Sequence, residues 1–188
     1  MKSSRAIVIL VSCLAVAREA SADPVLVELG TRLEEGQVLA SVRLEGALTP
    51  ALAEEIGAGL ETTVEYRLHL YRRRSGFLDA LVARRQVACT VRHDTLTRQF
   101  TLVRRVDGEI AETRVTDDEA DMRAFLTGLR DLPVAGTAVL EPGRSYYLKA
   151  KSNLGLVWRF YLIPWSLDTP WIRAEIGAPA GSPHATHP

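Results

Sequence analysis

The sequence is poor in cysteine. The 188-residue chain has 2, and Cys13 lies inside an N-terminal apolar run, so Cys89 stands alone in the remainder and no internal disulfide can form there. Nor is there an excess of one charge: 23 Lys and Arg face 23 Asp and Glu. Dedicated nucleic-acid binders normally carry a basic surplus, so nucleic acid is not expected as a partner. No apolar run reaches the roughly 20 residues that a membrane-spanning helix needs. A Gly-x-Ser-x-Gly nucleophile elbow is missing, as is a Gly-rich phosphate loop. What is present is an ordinary globular composition, 47% hydrophobic and 24% charged, of a length that suits one domain.

Residues 1–22 read as a secretory signal peptide. Lys2 and Arg5 give the positive start, Ala6–Ala17 the apolar stretch, and Ala20-Ser21-Ala22 a small-x-small site with cleavage between Ala22 and Asp23. Leu10-Val11-Ser12-Cys13 loosely resembles a lipoprotein box that would leave Cys13 lipidated and anchored. Only Ala6–Leu10 would precede it, however, and the apolar run continues past it, so cleavage at Ala22 is the reading adopted. The expected location is periplasmic or extracellular. Residues 23–176 then form a single domain, long enough to bury roughly 70% of its unfolded surface. Residues 177–188, rich in Pro, Gly and Ala, form an aperiodic tail expected to be disordered.

Within residues 23–176 apolar residues recur every second position. Val25, Val27, Leu29 and Leu33 share one parity, and after Glu34-Glu35-Gly36 the row resumes with Val38, Ala40, Val42 and Leu44. Val64, Tyr66, Leu68 and Leu70 form a third row, opposed by Glu65, Arg67 and His69. Leu81, Ala83, Val87, Cys89 and Val91 form a fourth, broken by Arg85. Asp107-Gly108 marks a two-residue hairpin turn, whose simplest register sets Leu102 opposite Thr113 and Phe100 opposite Val115. Two helices interrupt the strands. One starts at Thr49-Pro50, with Leu52, Ile56 and Leu60 on a face. The other starts at a Thr116-Asp117-Asp118-Glu119 capping box and carries Met122, Phe125, Leu126 and Leu129. Further strands are expected near Ser145–Lys151 and Leu156–Ile163. The pattern predicts a mainly β protein, an antiparallel β-sandwich with two flanking helices; an α+β antiparallel sheet with both helices on one face is the alternative.

The strand Val64–Arg73, then Phe77-Leu78-Asp79, then the segment His93-Asp94-Thr95-Leu96-Thr97-Arg98-Gln99-Phe100 carry a likeness to a known family. They resemble an uncharacterised exported bacterial family, domain of unknown function 4390, which shows an aromatic-x-x-Leu-Thr-x-x-aromatic pattern at this last point, with His93 in the first aromatic position here. The likeness spans about Val25 to Ile176. It implies an exported β-rich domain and supplies no mechanism.

No residue is assigned a catalytic role, and no cofactor or metal is expected. His93 adjoins Asp94, but neighbours along a strand face opposite ways. His184 and His187 lie in the tail without further ligands. Cys89 shares the apolar parity and reads as a buried small hydrophobe. Two groups are candidates for partner binding. Arg72, Arg73, Arg74, Arg104 and Arg105, with Arg84-Arg85, fall near strand ends and could form a basic rim for phosphates or carboxylates; charged strand edges that discourage aggregation are the plainer reading. The stretch Leu154–Trp171 holds all 3 tryptophans: Trp158, Arg159, Tyr161, Trp165 and Trp171 could form a partner-binding or membrane-apposed lip, or else close the end of the core. The expected function is therefore a non-enzymatic exported envelope module that holds a protein or lipid partner. A β-barrel-like carrier of an apolar ligand, or a hydrolase with dispersed catalytic residues, are the alternatives. Oligomeric state is not legible.

Overall fold

The computed structural model describes residues 23–76, 78–159 and 163–176, the side chains of 155–159 and 163–167 excepted. The expected leader and tail lie outside these residues. The described chain forms ten strands and two α-helices: β1 (Val25–Glu34), β2 (Gln37–Glu45), α1 (Pro50–Gly57), β3 (Thr62–Arg72), β4 (Ala80–Asp94), β5 (Gln99–Val106), β6 (Glu109–Thr116), α2 (Glu119–Thr127), β7 (Gly128–Gly136), β8 (Tyr146–Arg159), β9 (Ile163–Asp168) and β10 (Ile172–Ile176). A short 3₁₀ turn, Thr137–Val139, follows β7. All pairings are antiparallel.

The strands form two sheets. A three-stranded sheet has the order β1-β2-β7. A seven-stranded sheet has the order β10-β8-β3-β4-β5-β6, with β9 pairing the far half of β8. Neither closes into a barrel. One face of the large sheet is covered by the small sheet and both helices, and a single core lies between. Val64, Tyr66, Leu68 and Leu70 of β3 meet Val87, Cys89 and Val91 of β4, Leu102 of β5 and Leu148 of β8; facing them are Val38, Val42 and Leu44 of β2, Ile56 of α1 and Phe125 and Leu126 of α2. Each fully buried aliphatic side chain contributes roughly 1.5–3 kcal/mol. The mainly β sandwich with two helices is as expected.

Local chemistry explains most element ends. Thr49 caps α1, its Oγ1 accepting from Leu52 N at 3.2 Å, with Pro50 at the first position. Leu60 lies beyond α1 and is 57% exposed, so it is not on the buried stripe. The turn Glu35-Gly36 has φ of 49° and 74°, and Asp107-Gly108 has 52° and 93°, the paired positive angles of a type I′ hairpin. In α2 the cap is Asp118, which accepts from Ala120 N at 2.8 Å, while Thr116 Oγ1 accepts from Asp118 N. The helix thus starts two residues later than the Thr116 box suggests.

Bulges account for the other departures from simple alternation. Near the turn β5 and β6 pair as expected, Val106 with Glu109 and Arg105 with Ile110. Ala111 is then extra, and beyond it Leu102 faces Arg114 and Phe100 faces Thr116. A bulge at Val27 turns Leu26 into the core, 3% exposed, and leaves Val25 and Val27 outside at 40% and 41%. A third bulge, at Val82, leaves Leu81 half exposed. One added residue inverts every side chain beyond it. Strand β7 has no counterpart in the sequence reading, which carries the helical stripe on to Leu129; α2 ends at Thr127, and Leu129 belongs to β7, as does Pro133. Pro133 is tolerated here because β7 lies on the edge of the small sheet and pairs with β2 alone.

The two layers are tied by one buried polar bond. The Tyr66 hydroxyl donates to Leu126 O at 2.6 Å, satisfying a carbonyl in the last turn of α2. Replacing Tyr66 with Phe is expected to cost about 1–3 kcal/mol, read as a lower urea midpoint with an unchanged denaturant slope.

Candidate anion-binding face

Strand β3 is paired on both sides and keeps strict parity, so its inner row closes the core and Glu65, Arg67, His69 and Tyr71 point to the opposite face. Register then fixes their neighbours. His69 sits opposite Arg84 of β4 and Lys149 of β8, and Lys149 sits opposite Arg173 of β10. Arg84, His69, Lys149 and Arg173 thus form one transverse row over four strands, about 14 Å across at the usual strand spacing. The next row sets Arg67 between Gln86 and Lys151; the row on the other side sets Tyr71 beside Tyr147, with Glu175 beyond. Like charges directly opposite one another destabilise a sheet, yet Lys149 faces Arg173 and Arg67 faces Lys151.

Aromatic rings lie among the cations. Trp171 packs against His69 with centroids 4.9 Å apart, and the Lys151 ammonium is 5.5 Å from the indole centroid. Tyr71 and Tyr147 stack at 5.4 Å. Lys149 Nζ hovers 5.6 Å and 5.9 Å from their centroids, and the Arg173 guanidinium lies 3.6 Å from that of Tyr147. Carboxylates answer only part of the charge. Glu175 accepts from Arg73 and Arg173, Asp168 lies 3.6 Å from Lys151, and Glu65 lies 3.7 Å from Arg67. Among the described residues no carboxylate pairs with Arg84 or Lys149.

Two clefts open on this face. The first, about 610 Å³, lies over Arg67, His69, Arg84, Lys151 and Trp171, with the Arg85–Asp107 ion pair at its border. The second, about 480 Å³, lies at the end of the sheet over Arg73, Arg74, Asp79, Arg144 and Arg173. Arg67 of the first and Arg73 of the second lie about 20 Å apart along β3, while His69 of the first and Arg173 of the second share the transverse row. Burial, then the charges of Arg84, Arg67, Lys151 and Lys149, hold the His69 imidazole below its ordinary 6.5. In the second cleft Asp79 accepts from Tyr147 Oη at 2.7 Å and Arg74 N at 3.1 Å, and those bonds keep it ionised below its ordinary range.

The residues singled out from the sequence go to different places. Arg73 and Arg74 do join a basic cluster, with Arg144 and Arg173. Arg72 pairs with Glu141 at the same end. Arg105 stands opposite Ala88, which shares the outer parity with Arg84 and Gln86. Arg104 turns the other way: it lies under α2, 4.7 Å from the Phe125 centroid, paired with Glu112 at 2.8 Å. Beside it Arg114 pairs with Asp121 through two nitrogens, and its Nε sits 3.0 Å from Glu112 without hydrogen-bond geometry. The bulge at Ala111 is what sets Glu112 opposite Arg104 and so builds this network. Trp171 lies on the basic face, 41% exposed. The backbones of Trp158, Arg159 and Trp165 belong to the β8–β9 pair, but their side chains, like all of Tyr161, lie outside the described residues. So does Ala22, whereas Asp23 is exposed.

His93 spends its Nδ1–H on Gly57 O at the end of α1, 3.1 Å away, and stacks on Phe100. Cys89 is free and fully buried, and burial pushes its thiol pKa up. Among the described residues no three His, Cys, Asp or Glu side chains converge as a metal site, and no helix is long and apolar enough to cross a membrane.

Comparison with known families matches residues 22–174 to the domain of unknown function 4390. The chain belongs to that family. No curated protein and no solved structure matches it. The matched span takes in β1 to β9 and the start of β10, and so nearly all of the basic face of this family member.

Arg67, His69, Arg84, Lys149, Lys151 and Arg173 were not assembled from sequence. Arg67 and His69 are visible as the polar parity of β3, but their partners come from strands up to about a hundred residues away, whose order periodicity does not encode.

The low imidazole pKa has a measurable consequence. Below about pH 6.5 the unfolded chain takes up a proton that the folded His69 resists, so this residue's contribution to stability is intact above that pH and declines as pH falls toward the folded value. His69→Gln is expected to remove that part of the acid limb in urea midpoints measured between pH 5 and 8, while leaving the carboxylate-driven loss at lower pH.

Proposed function

We propose that this chain is a non-enzymatic exported module of the bacterial envelope that holds an anionic partner, lipid or protein, against the outer face of its large sheet. The observation that carries this reading is the transverse row Arg84–His69–Lys149–Arg173. Two of its cations have no carboxylate partner among the described residues, and two stand directly opposite one another at a cost in folding stability. Positive groups outnumber carboxylates on this face, Arg67, Arg84, Lys149, Lys151 and Arg173 against Glu65, Asp168 and Glu175, where a face that served only solubility would balance its signs. Trp171, 41% exposed beside His69, adds apolar contact area among the cations, and aromatic rings with arginine are the composition of binding hot spots. The low His69 pKa fits as well, since the proton it resists becomes favourable once an anion lies beside it. The non-enzymatic reading is supported by how the ordered histidines are used: His93 is committed to a helix end, and among the described residues His69 is ringed by cations, with Tyr71 Oη 3.5 Å from its Nδ1 and no carboxylate hydrogen-bonded to it.

The test is a titration with dextran sulfate, using neutral dextran as the control. The wild-type chain is expected to bind the sulfated polymer and to release it as salt is raised. The double variant Arg84→Glu, Lys149→Glu is expected to bind at least tenfold more weakly, at about 1 kcal/mol per cation lost and more for reversal, with an unchanged or raised thermal midpoint. Equal binding by wild type and variant would sink the reading.

A further inference from the structure

The second cleft differs from the first in what borders it. It lies where β3 finishes, β4 and β8 begin and β10 ends, and its lining is polar throughout: four guanidinium side chains, from Arg73, Arg74, Arg144 and Arg173, around one carboxylate, Asp79. Asp79 is occupied by Tyr147 Oη and Arg74 N. Glu175 neutralises Arg73 and Arg173 in part, and Arg144 lies 3.7 Å from Glu141, a loose pair. The Arg74 side chain has no carboxylate partner among the described residues. Planar guanidinium forks in this density match the oxygens of phosphate, as of carboxylate, bidentately. Immediately before Asp79, on the loop between β3 and β4, Leu78 is 93% exposed. A soluble phosphate or a glycan gives that side chain nothing. A bilayer gives it the boundary between headgroups and acyl chains, just beyond the phosphates that the arginines would hold.

We infer that this end of the sheet is a phospholipid-headgroup site, which seats the protein on an anionic bilayer with Leu78 dipping past the phosphates held by Arg73, Arg74, Arg144 and Arg173. The inference rests on the anion-binding reading above and names its partner as a lipid surface. The rest of the basic face then stands up from the membrane plane, with Arg67 of its first cleft about 20 Å along β3 from Arg73.

The test is sedimentation with vesicles of phosphatidylcholine, with and without phosphatidylglycerol, using the chain from Asp23, which retains every described strand and helix and lacks the apolar leader that would itself enter vesicles. Near-ultraviolet circular dichroism confirms the fold of each variant. The protein is expected to partition onto the phosphatidylglycerol vesicles and not onto phosphatidylcholine alone. Arg74→Ala with Arg144→Ala should lower the partition coefficient about thirtyfold, at about 1 kcal/mol per cation, and Leu78→Glu at least tenfold. Leu96→Glu is the control: that side chain is 94% exposed but sits on the turn at the opposite end of β4, and it should change partition less than twofold. Equal partition of Leu78→Glu and wild type, equal loss in Leu96→Glu, or inorganic phosphate binding without vesicle binding would each overturn the lipid site. If dextran sulfate is held while vesicles are ignored, the lipid inference alone falls. If neither is held, the anion reading falls with it.

Discussion

Strand β3 is the constraint on which both sides of the molecule depend. It is hydrogen-bonded to β4 over its whole length and to β8 over most of it, so it cannot rotate or slip without breaking two ladders at once. Its inner row, Val64, Tyr66, Leu68 and Leu70, is at most 1% exposed. A shift of one residue would exchange those side chains for Glu65, Arg67, His69 and Tyr71. The burial of four large apolar groups therefore fixes the cations in a row on the other side. Repulsion between Lys149 and Arg173, or between Arg67 and Lys151, is weak in water beside that burial, about 1 kcal/mol for unit charges at 4 Å, which is why the sheet tolerates it.

The two faces treat charge differently. On the inner side, Arg104 and Arg114 are matched against Glu112 and Asp121 beneath α2, with Phe125 between the guanidinium groups. That network is nearly closed, and it holds the helix against β5 and β6. On the outer side the positive groups exceed their carboxylates, and aromatic rings take the places where counter-ions would otherwise stand. Half-buried pairing serves the architecture; unbalanced charge faces the solvent.

Much of the architecture could be read from spacing alone. The rows of β2 and β3, both hairpin turns, the Thr49-Pro50 helix start and the burial of Cys89 follow from parity, positive-φ turn chemistry and capping, each a property of a few adjacent residues. Three of the misreadings share one cause. Val25 and Val27, Leu81, and the Leu102–Arg114 pairing all lie beyond a single inserted residue, and an inserted residue leaves no mark in composition. Strand β7 was hidden because the helical stripe runs on to Leu129 in the sequence, although α2 ends at Thr127. The basic face was legible only as scattered letters. Arg67 and His69 were visible opposite the apolar row, but Lys149, Lys151 and Arg173 join them through strand order, which is set by the tertiary fold.

The order of pairing also has a temporal side. Val38 of β2 finds its neighbour in Ala135, and Leu68 of β3 finds its second neighbour in Ala150. A chain delivered from its N-terminus can form early hairpins, such as β1 with β2 and β3 with β4. It can complete neither sheet until residues beyond 128 have emerged. Closure of such distant contacts is slow, so neither sheet is complete until the last third of the chain is in place.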